Sequence, residues 1–132
     1  MAAVEPQFNA GNEVDRRDLA SLTMKLFDRW QLDSATCMSL LGMSPNSRSL
    51  LAKYRSGEKA LPATPDVLDR VGYLLGIHKG LRLLYPRNES IRFGWVKLPN
   101  KMLEGRTPLS VMLENMVGLA RIARFVDFER GR

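Results

Sequence analysis

The chain has 132 residues and a formal net charge of +6, which fits one compact domain or two small helical subdomains that share a core. Its single cysteine, Cys37, excludes an internal disulfide, and no metal-binding or redox motif is present. No run of about 18 apolar residues can span a membrane, and the beginning lacks the basic-then-apolar order of a signal peptide. We therefore expect a cytoplasmic protein without a cofactor or a metal site.

The positive charge is concentrated in the middle of the chain. Residues 44–106 hold twelve Lys and Arg against five Asp and Glu, whereas residues 1–43 carry a net charge of −2 and residues 107–132 a net charge of +1. This excess favours a polyanionic partner such as nucleic acid, but basic side chains on solvated faces give the same pattern. Charge alone leaves both interpretations open.

The first predicted elements are an arm and two helices. Residues 1–17 lack apolar periodicity and are expected to form a flexible arm. Apolar residues then recur every three or four positions as far as Trp30, which predicts an amphipathic helix with Asp18 as its N-cap. A second helix begins at Asp33 and stops at Gly42, a residue type that commonly follows the last helical turn.

A third helix, predicted over residues 45–56, points to DNA binding. Ser44 precedes Pro45 as an N-cap, so a short turn joins two short helices, as is typical of a helix-turn-helix. One side of the helix is apolar, and the other offers the polar and basic groups that a recognition helix presents to bases and phosphates. The predicted DNA-binding residues are Asn46, Arg48, Ser49, Lys53, Arg55 and Lys59. A solvated basic helix without a nucleic-acid partner would look the same.

A fourth, long helix is predicted to begin with Thr64 as its N-cap and to continue to Tyr85. Gly76 and Gly80 lie inside it, where they weaken the helix but permit a bend or the close packing of a neighbour. His78 is the only histidine, and without a nearby Cys or second His it is interpreted as a surface or partly packed residue.

The stretch after Asn88 alternates between helix and tight turn. A short helix carrying Trp95 is expected to stop before Pro99, because the residue before a proline is disfavoured in the α region. Gly105 is expected to form a turn, and Thr107 is predicted to be the N-cap of a further helix. The apolar residues that follow, from 109 to 126, fit either a helix pair or one helix broken near Gly118.

No motif supports catalysis, since the chain has no Gly-rich phosphate loop, nucleophile elbow or zinc-binding helix. Cys37 and His78 lie on separate predicted helices, and an apolar-flanked helical cysteine is most often a core residue. We therefore expect a binding protein rather than an enzyme.

Residues from about 18 to 128 resemble the Xre/MbcA/ParS antitoxin family, in which an Xre-like helix-turn-helix precedes a toxin-binding domain. The helix-turn-helix half is the less specific match, at Leu40-Leu41-Gly42-Met43-Ser44 and Tyr54-Arg55-Ser56-Gly57. The second half follows the family pattern through Leu75-Gly76-Ile77, Leu84-Tyr85-Pro86 and the signature residues Trp95, Pro99, Asn100, Gly105 and Pro108, with Leu109 and Met112 after them. We interpret the signature residues as chiefly structural. In one departure, Met102-Leu103 stands where the family often has an aromatic residue, so packing or toxin contact there is expected to differ.

The resemblance implies an all-α fold, with a helix-turn-helix bundle at 18–75 and a small helical toxin-binding domain at 76–132. It further implies an antitoxin that blocks a partner toxin, commonly a RES-type enzyme that consumes NAD⁺, and that represses its own operon. We expect a homodimer or a higher toxin–antitoxin complex, because helix-turn-helix motifs usually bind palindromic sites as two-fold dimers. The end of the chain is expected to meet the toxin near its active site. The predicted toxin-binding residues are Arg121, Arg124, Phe125, Phe128 and Arg130.

Two other classes of protein fit the same residues. One is a stand-alone helix-turn-helix transcription regulator without a toxin, whose second half senses a ligand. The other is a structural adaptor whose helix-turn-helix no longer binds DNA. A neighbouring gene that is toxic when expressed alone, and is neutralised by this chain, would distinguish the antitoxin from both.

Overall fold

A computed structural model describes residues 11–131, and in that range the chain is helical with no strand. The predicted all-α fold is therefore confirmed. Most of the predicted arm, residues 1–10, and the last residue lie outside the described residues. The helices are α1 (Glu13–Arg29), α2 (Ser34–Leu40), α3 (Leu50–Ser56), α4 (Pro65–Leu84), α5 (Glu89–Gly94), α6 (Pro108–Met112) and α7 (Met116–Arg130).

The first helix begins at Glu13, so the start predicted at Asp18 is wrong and residues 13–17 are helical rather than part of an arm. The side chain of Asn12 is the true N-cap and accepts hydrogen bonds from two backbone N–H groups of the first turn. A distant contact helps to hold this turn, because Arg16 Nε donates to the Leu61 carbonyl at 3.0 Å and the Leu61 N–H donates back to the Arg16 carbonyl at 3.3 Å.

The third helix is shorter than predicted. Ser44 caps as expected, but the helix it starts is a single 3₁₀ turn, Pro45–Ser47, and α3 begins only at Leu50. Two N–H groups here bond to the carbonyl three positions earlier, Ser47 to Ser44 at 2.9 Å and Arg48 to Pro45 at 3.3 Å, and tighten the backbone. The prediction of one continuous helix over 45–56 is therefore wrong, although its apolar side is buried as expected through Leu51 and Tyr54.

The long helix α4 connects the two halves of the molecule. Its buried residues belong to the same core as those of α1 and α7, and the predicted boundary between residues 75 and 76 falls inside this helix. Gly80 allows α7 to approach, since a Cβ at this position would overlap the side chain of Val126. Gly76, in contrast, faces open space. Of the two glycines, only Gly80 therefore allows the close packing that was expected from the sequence.

The last apolar segment is a helix pair, with the break at residues 113–115 rather than at Gly118. Asn115 caps α7 by accepting a hydrogen bond from the Gly118 N–H at 2.8 Å. Gly118 lies in the first turn of α7, where a Cβ would collide with the backbone carbonyl of Val111. Its role is therefore to let the two helices meet closely.

Candidate functional site

One face of α7 is left uncovered by the other residues of the described range, 11–131. Val117, Arg121, Arg124 and Phe128 follow one another at spacings of four, three and four residues, which places them along a single side of a helix. We call these four residues the α7 stripe. Val117 is 74% exposed and Phe128 69% exposed, whereas the opposite side of α7 is buried through Leu119, Ile122 and Val126.

The two arginines of the stripe are available for a partner. Within residues 11–131, neither the Arg121 nor the Arg124 side chain has a hydrogen bond or an ion pair. Guanidinium groups of this kind favour carboxylates, which they can bind through two parallel hydrogen bonds. The α7 stripe therefore offers two cations between two apolar side chains.

Two predicted toxin-binding residues are engaged within the chain instead. Phe125 is half-buried and stacks on Trp95, with ring centroids 6.1 Å apart. Arg130 pairs with Asp127 at 2.8 Å. The structure thus places three of the five predicted toxin-binding residues, Arg121, Arg124 and Phe128, on one face. Val117 lies on the same face and was not among the predicted residues, although its helical spacing from Arg121 would have indicated it.

The signature residues form the support of this region. Trp95 is buried under Phe125, and Pro108 is buried at the first position of α6, where Thr107 is the N-cap, as predicted. Asn100 organises the intervening loop: its side chain accepts from the Met102 N–H at 2.9 Å, and its carbonyl accepts from the N–H groups of Leu103 and Gly105. These bonds close a tight turn that brings the chain back toward α6.

The remaining signature residues, Pro99 and Gly105, lie in or next to the same loop. Gly105 has a φ of +82°, a left-handed conformation that favours glycine. Pro99 is exposed and precedes the loop. Met102, at the position where the family often has an aromatic residue, is 71% exposed, while Leu103 is buried.

All six predicted DNA-binding residues are exposed. Asn46, Arg48 and Ser49 lie in the segment that leads into α3. Lys53 and Arg55 lie on α3, and Lys59 follows it. Five of them have no side-chain partner in the described part of the chain, namely Asn46, Arg48, Ser49, Lys53 and Lys59. Arg55 differs, because its guanidinium already donates two hydrogen bonds to the carboxylate of Asp28 on α1.

The surface where the two halves meet is held by polar contacts at the end of α1. Arg29 pairs with Glu89 at 3.2 Å and lies 4.6 Å from the centre of the Phe93 ring. Lys97 donates to the Gln31 carbonyl at 2.8 Å. A cleft of about 420 Å³ lies among these residues. The contacts tie the end of α1 to both α5 and the turn that follows it.

The residues with catalytic or metal-binding potential are dispersed. Burial raises the pKa of the Cys37 thiol to about 11, so this group is protonated at neutral pH. His78 stacks on Phe93, with ring centroids 5.7 Å apart. In the described range, no group of three or more His, Cys, Asp and Glu side chains could hold a metal ion.

Comparison with known proteins identifies the second half of the chain. Residues 81–132 match the model of the antitoxin Xre/MbcA/ParS C-terminal toxin-binding domain, and this segment contains the α7 stripe and all the signature residues. The uncharacterized protein y4oB of Sinorhizobium fredii (strain NBRC 101917 / NGR234) is 33% identical over 108 residues, which cover 81% of this chain and 80% of that protein. Among the helices of residues 11–131, none is long and apolar enough to cross a membrane.

Proposed function

This chain belongs to the Xre/MbcA/ParS antitoxin family, and from that membership we propose that it binds and blocks a RES-type toxin that degrades NAD⁺ and represses its own operon. The toxin partner follows from the matched toxin-binding domain. The type of toxin rests on the family resemblance alone. The repression rests on that resemblance and on the order of α2, the 3₁₀ turn Pro45–Ser47 and α3, which is similar to a helix-turn-helix although residues 41–49 separate the two helices. In this proposal the protein acts by binding, without a cofactor.

The observation that supports toxin binding most directly is the α7 stripe. It lies within the matched segment, its apolar ends are largely exposed, and its arginines are unpaired in the described chain. Arg121 and Arg124 would pair with carboxylates of the toxin, while Val117 and Phe128 would fill apolar pockets to either side. Inhibition is steric in this proposal, because the helix would cover the approach to the toxin's active site.

Substitutions on the α7 stripe test this contact better than a truncation, because α7 also carries core residues such as Leu119 and Ile122. Reversing both charges, Arg121→Glu with Arg124→Glu, should abolish rescue of growth when toxin and antitoxin are co-expressed. Arg87→Glu is the matched control, since it reverses an exposed arginine of the same segment outside α7. Circular dichroism verifies that each variant folds. Full rescue by a folded double variant would exclude the stripe as the toxin contact.

The RES assignment has its own test. The toxin encoded beside this chain is purified in complex with it, and expression of that toxin alone should deplete cellular NAD⁺. A toxin that stops growth while NAD⁺ stays constant would remove the RES part of the proposal and leave the antitoxin role in place. A neighbouring gene that is not toxic would instead favour the stand-alone regulator.

Operator binding is proposed through the exposed residues around α3. A gel shift with the native promoter fragment at low salt should detect the complex, and its affinity should fall steeply as salt rises. Arg48→Ala should cost about 1–3 kcal/mol of binding free energy if Arg48 reads a base. Lys25→Ala, an exposed lysine of α1, is the control. No shift with the promoter would refute the repression.

We also propose that the antitoxin acts as a homodimer, because helix-turn-helix proteins usually place two recognition helices on a palindromic site. Light scattering of the free protein, and of the complex with toxin, measures the stoichiometry. A monomer in both preparations would contradict this proposal.

A further inference from the structure

The candidate recognition helix α3 is poorly held by its own residues. It has seven residues, and Ser49 at its N-cap position makes no side-chain cap bond. Isolated helices shorter than about 12–15 residues are marginal in water, and only Leu51 and Tyr54 of α3 are buried. The position of α3 on the molecule must therefore depend on its contacts with other elements.

Polar contacts with α1 converge on one residue of α3. Arg55 Nη2 donates to Asp28 Oδ1 at 2.9 Å, and Arg55 Nε donates to Asp28 Oδ2 at 3.1 Å, so that both carboxylate oxygens are used. The Ser21 hydroxyl, about two turns before Asp28 on α1, donates to the Arg55 carbonyl at 3.4 Å. This paired geometry constrains orientation as well as distance.

We propose that Asp28 and Arg55 are positioning residues for operator binding, in which the ion pair fixes α3 against α1 and Arg55 itself does not contact DNA. The inference rests on the proposed operator binding. It replaces the role suggested for Arg55 by the sequence, where the residue was one of six exposed polar groups around α3. The reading of bases and phosphates is then left to the five residues that have no side-chain partner within residues 11–131.

The charge of Asp28 makes the two possible roles of Arg55 distinguishable. A carboxylate beside a DNA-binding helix repels phosphates, so its removal should strengthen binding if charge alone matters. If the carboxylate positions α3, its removal should weaken binding. Both side chains of the pair are about half exposed, and such pairs contribute little to global stability, so the effect should appear in operator affinity rather than in the melting temperature.

The experiment measures operator affinity of the full chain as a function of salt for Asp28→Asn, Arg55→Gln and the double variant. We expect each single variant to bind about fivefold more weakly than wild type, and the double variant to bind no more weakly than either, because one interaction is lost in all three. The salt dependence of binding should equal that of wild type, because no phosphate contact is lost.

Glu13→Gln is the matched control. It removes one negative charge from α1 and breaks an exposed ion pair with Arg17, far along the helix from α3. This variant should bind the operator as tightly as wild type or slightly more tightly. Hydrogen exchange of the free protein adds a measurement without DNA: the α3 amides should exchange faster in the Asp28 and Arg55 variants and unchanged in the control.

Three results would overturn the inference. Tighter operator binding by Asp28→Asn would show that Arg55 contributes more to DNA binding when it is not paired with Asp28. A smaller salt dependence for Arg55→Gln, by about one phosphate contact, would show that Arg55 touches the DNA backbone. Unchanged exchange of the α3 amides would show that the pair does not hold the helix. If the wild-type protein does not bind its promoter, the proposal of operator binding is rejected. Hydrogen exchange of the α3 amides then still shows whether the pair of Asp28 and Arg55 holds the helix.

Discussion

Gly80 on α4 and Val126 on α7 lie so close together that a Cβ on Gly80 would overlap Cγ1 of the valine. We therefore predict that Gly80→Ala destabilises the protein by about 1–3 kcal/mol, because Val126 is 1% exposed and its side chain would have to shift within the core. Denaturant unfolding monitored by circular dichroism measures the change in the free energy of unfolding.

Gly76, one helical turn earlier in α4, provides the control for this prediction. A Cβ there would meet nothing within 4 Å, and alanine is the better helix former by up to about 1 kcal/mol. Gly76→Ala should therefore stabilise the protein. A similar change in unfolding free energy for both variants would show that packing against Val126 does not set the response.

The signature residue Asn100 is predicted to support folding without touching the toxin. Asn100→Ala removes the acceptor for the Met102 N–H and should cost about 1 kcal/mol of unfolding free energy. Toxin neutralisation should remain complete at temperatures where the variant is folded. Lys101→Ala, an exposed neighbour, should change neither property. Loss of neutralisation by a fully folded Asn100→Ala protein would instead place this loop in the toxin interface.

His78 should make the protein sensitive to mild acid. Burial, reinforced by Arg82, Arg92 and Arg29, lowers the pKa of His78 below its ordinary value of 6.5. Below about pH 6.5 the unfolded chain takes up a proton that the folded chain resists, so stability falls as the pH falls toward the folded-state pKa.

His78→Phe tests this effect, since it keeps a ring against Phe93 and removes the buried Nδ1 atom, which has no hydrogen-bond partner among the described residues. The Tm difference between about pH 7.5 and about pH 5 should be smaller in the variant than in wild type. His78→Gln removes the titration without the ring and should show the same reduction. Equal differences in all three proteins would contradict the prediction.

Cys37 should be an unreactive thiol in the folded protein. It is 3% exposed, and burial raises its pKa to about 11 from the ordinary value of 9.0. The thiolate fraction at neutral pH is then about a hundredfold lower than in the unfolded chain, and only the thiolate reacts readily with a disulfide reagent. Labelling rates with and without guanidinium chloride give the ratio. A rapid native reaction would mean that α2 opens often and exposes the thiol.

Several helix starts were predictable because neighbouring residues carry the signal, although Asn12 and Asn115, which cap α1 and α7 through equally local bonds, were not identified. Ser44, Thr64 and Thr107 were expected as N-caps, and each accepts a hydrogen bond from the turn that follows it. Capping depends on a side chain and a backbone group two or three positions away, so the local sequence can indicate an N-cap.

Features that depend on distant residues were missed. The early start of α1 is held in part by contacts with Leu61, and the engagement of Arg55 depends on Asp28, which is 27 residues away in the chain. Exposure of the Arg55 side chain was predictable from the helical pattern, but its partner was not. The α7 stripe was predictable only in part. Its helical spacing is visible in the sequence, but the start of α7 depends on the N-cap Asn115, which was not predicted.

The uninterrupted course of α4 bears on how toxin preference can be transplanted between relatives. The matched segment begins at residue 81, yet the residue that admits α7 is Gly80, and the packing surface of α4 starts well before it. A chimera joined at residue 81 would set α7 against a foreign helix. A chimera that takes the donor sequence from Pro65 onward would keep α4 and α7 as a matched pair, so the exchangeable unit is larger than the toxin-binding segment itself.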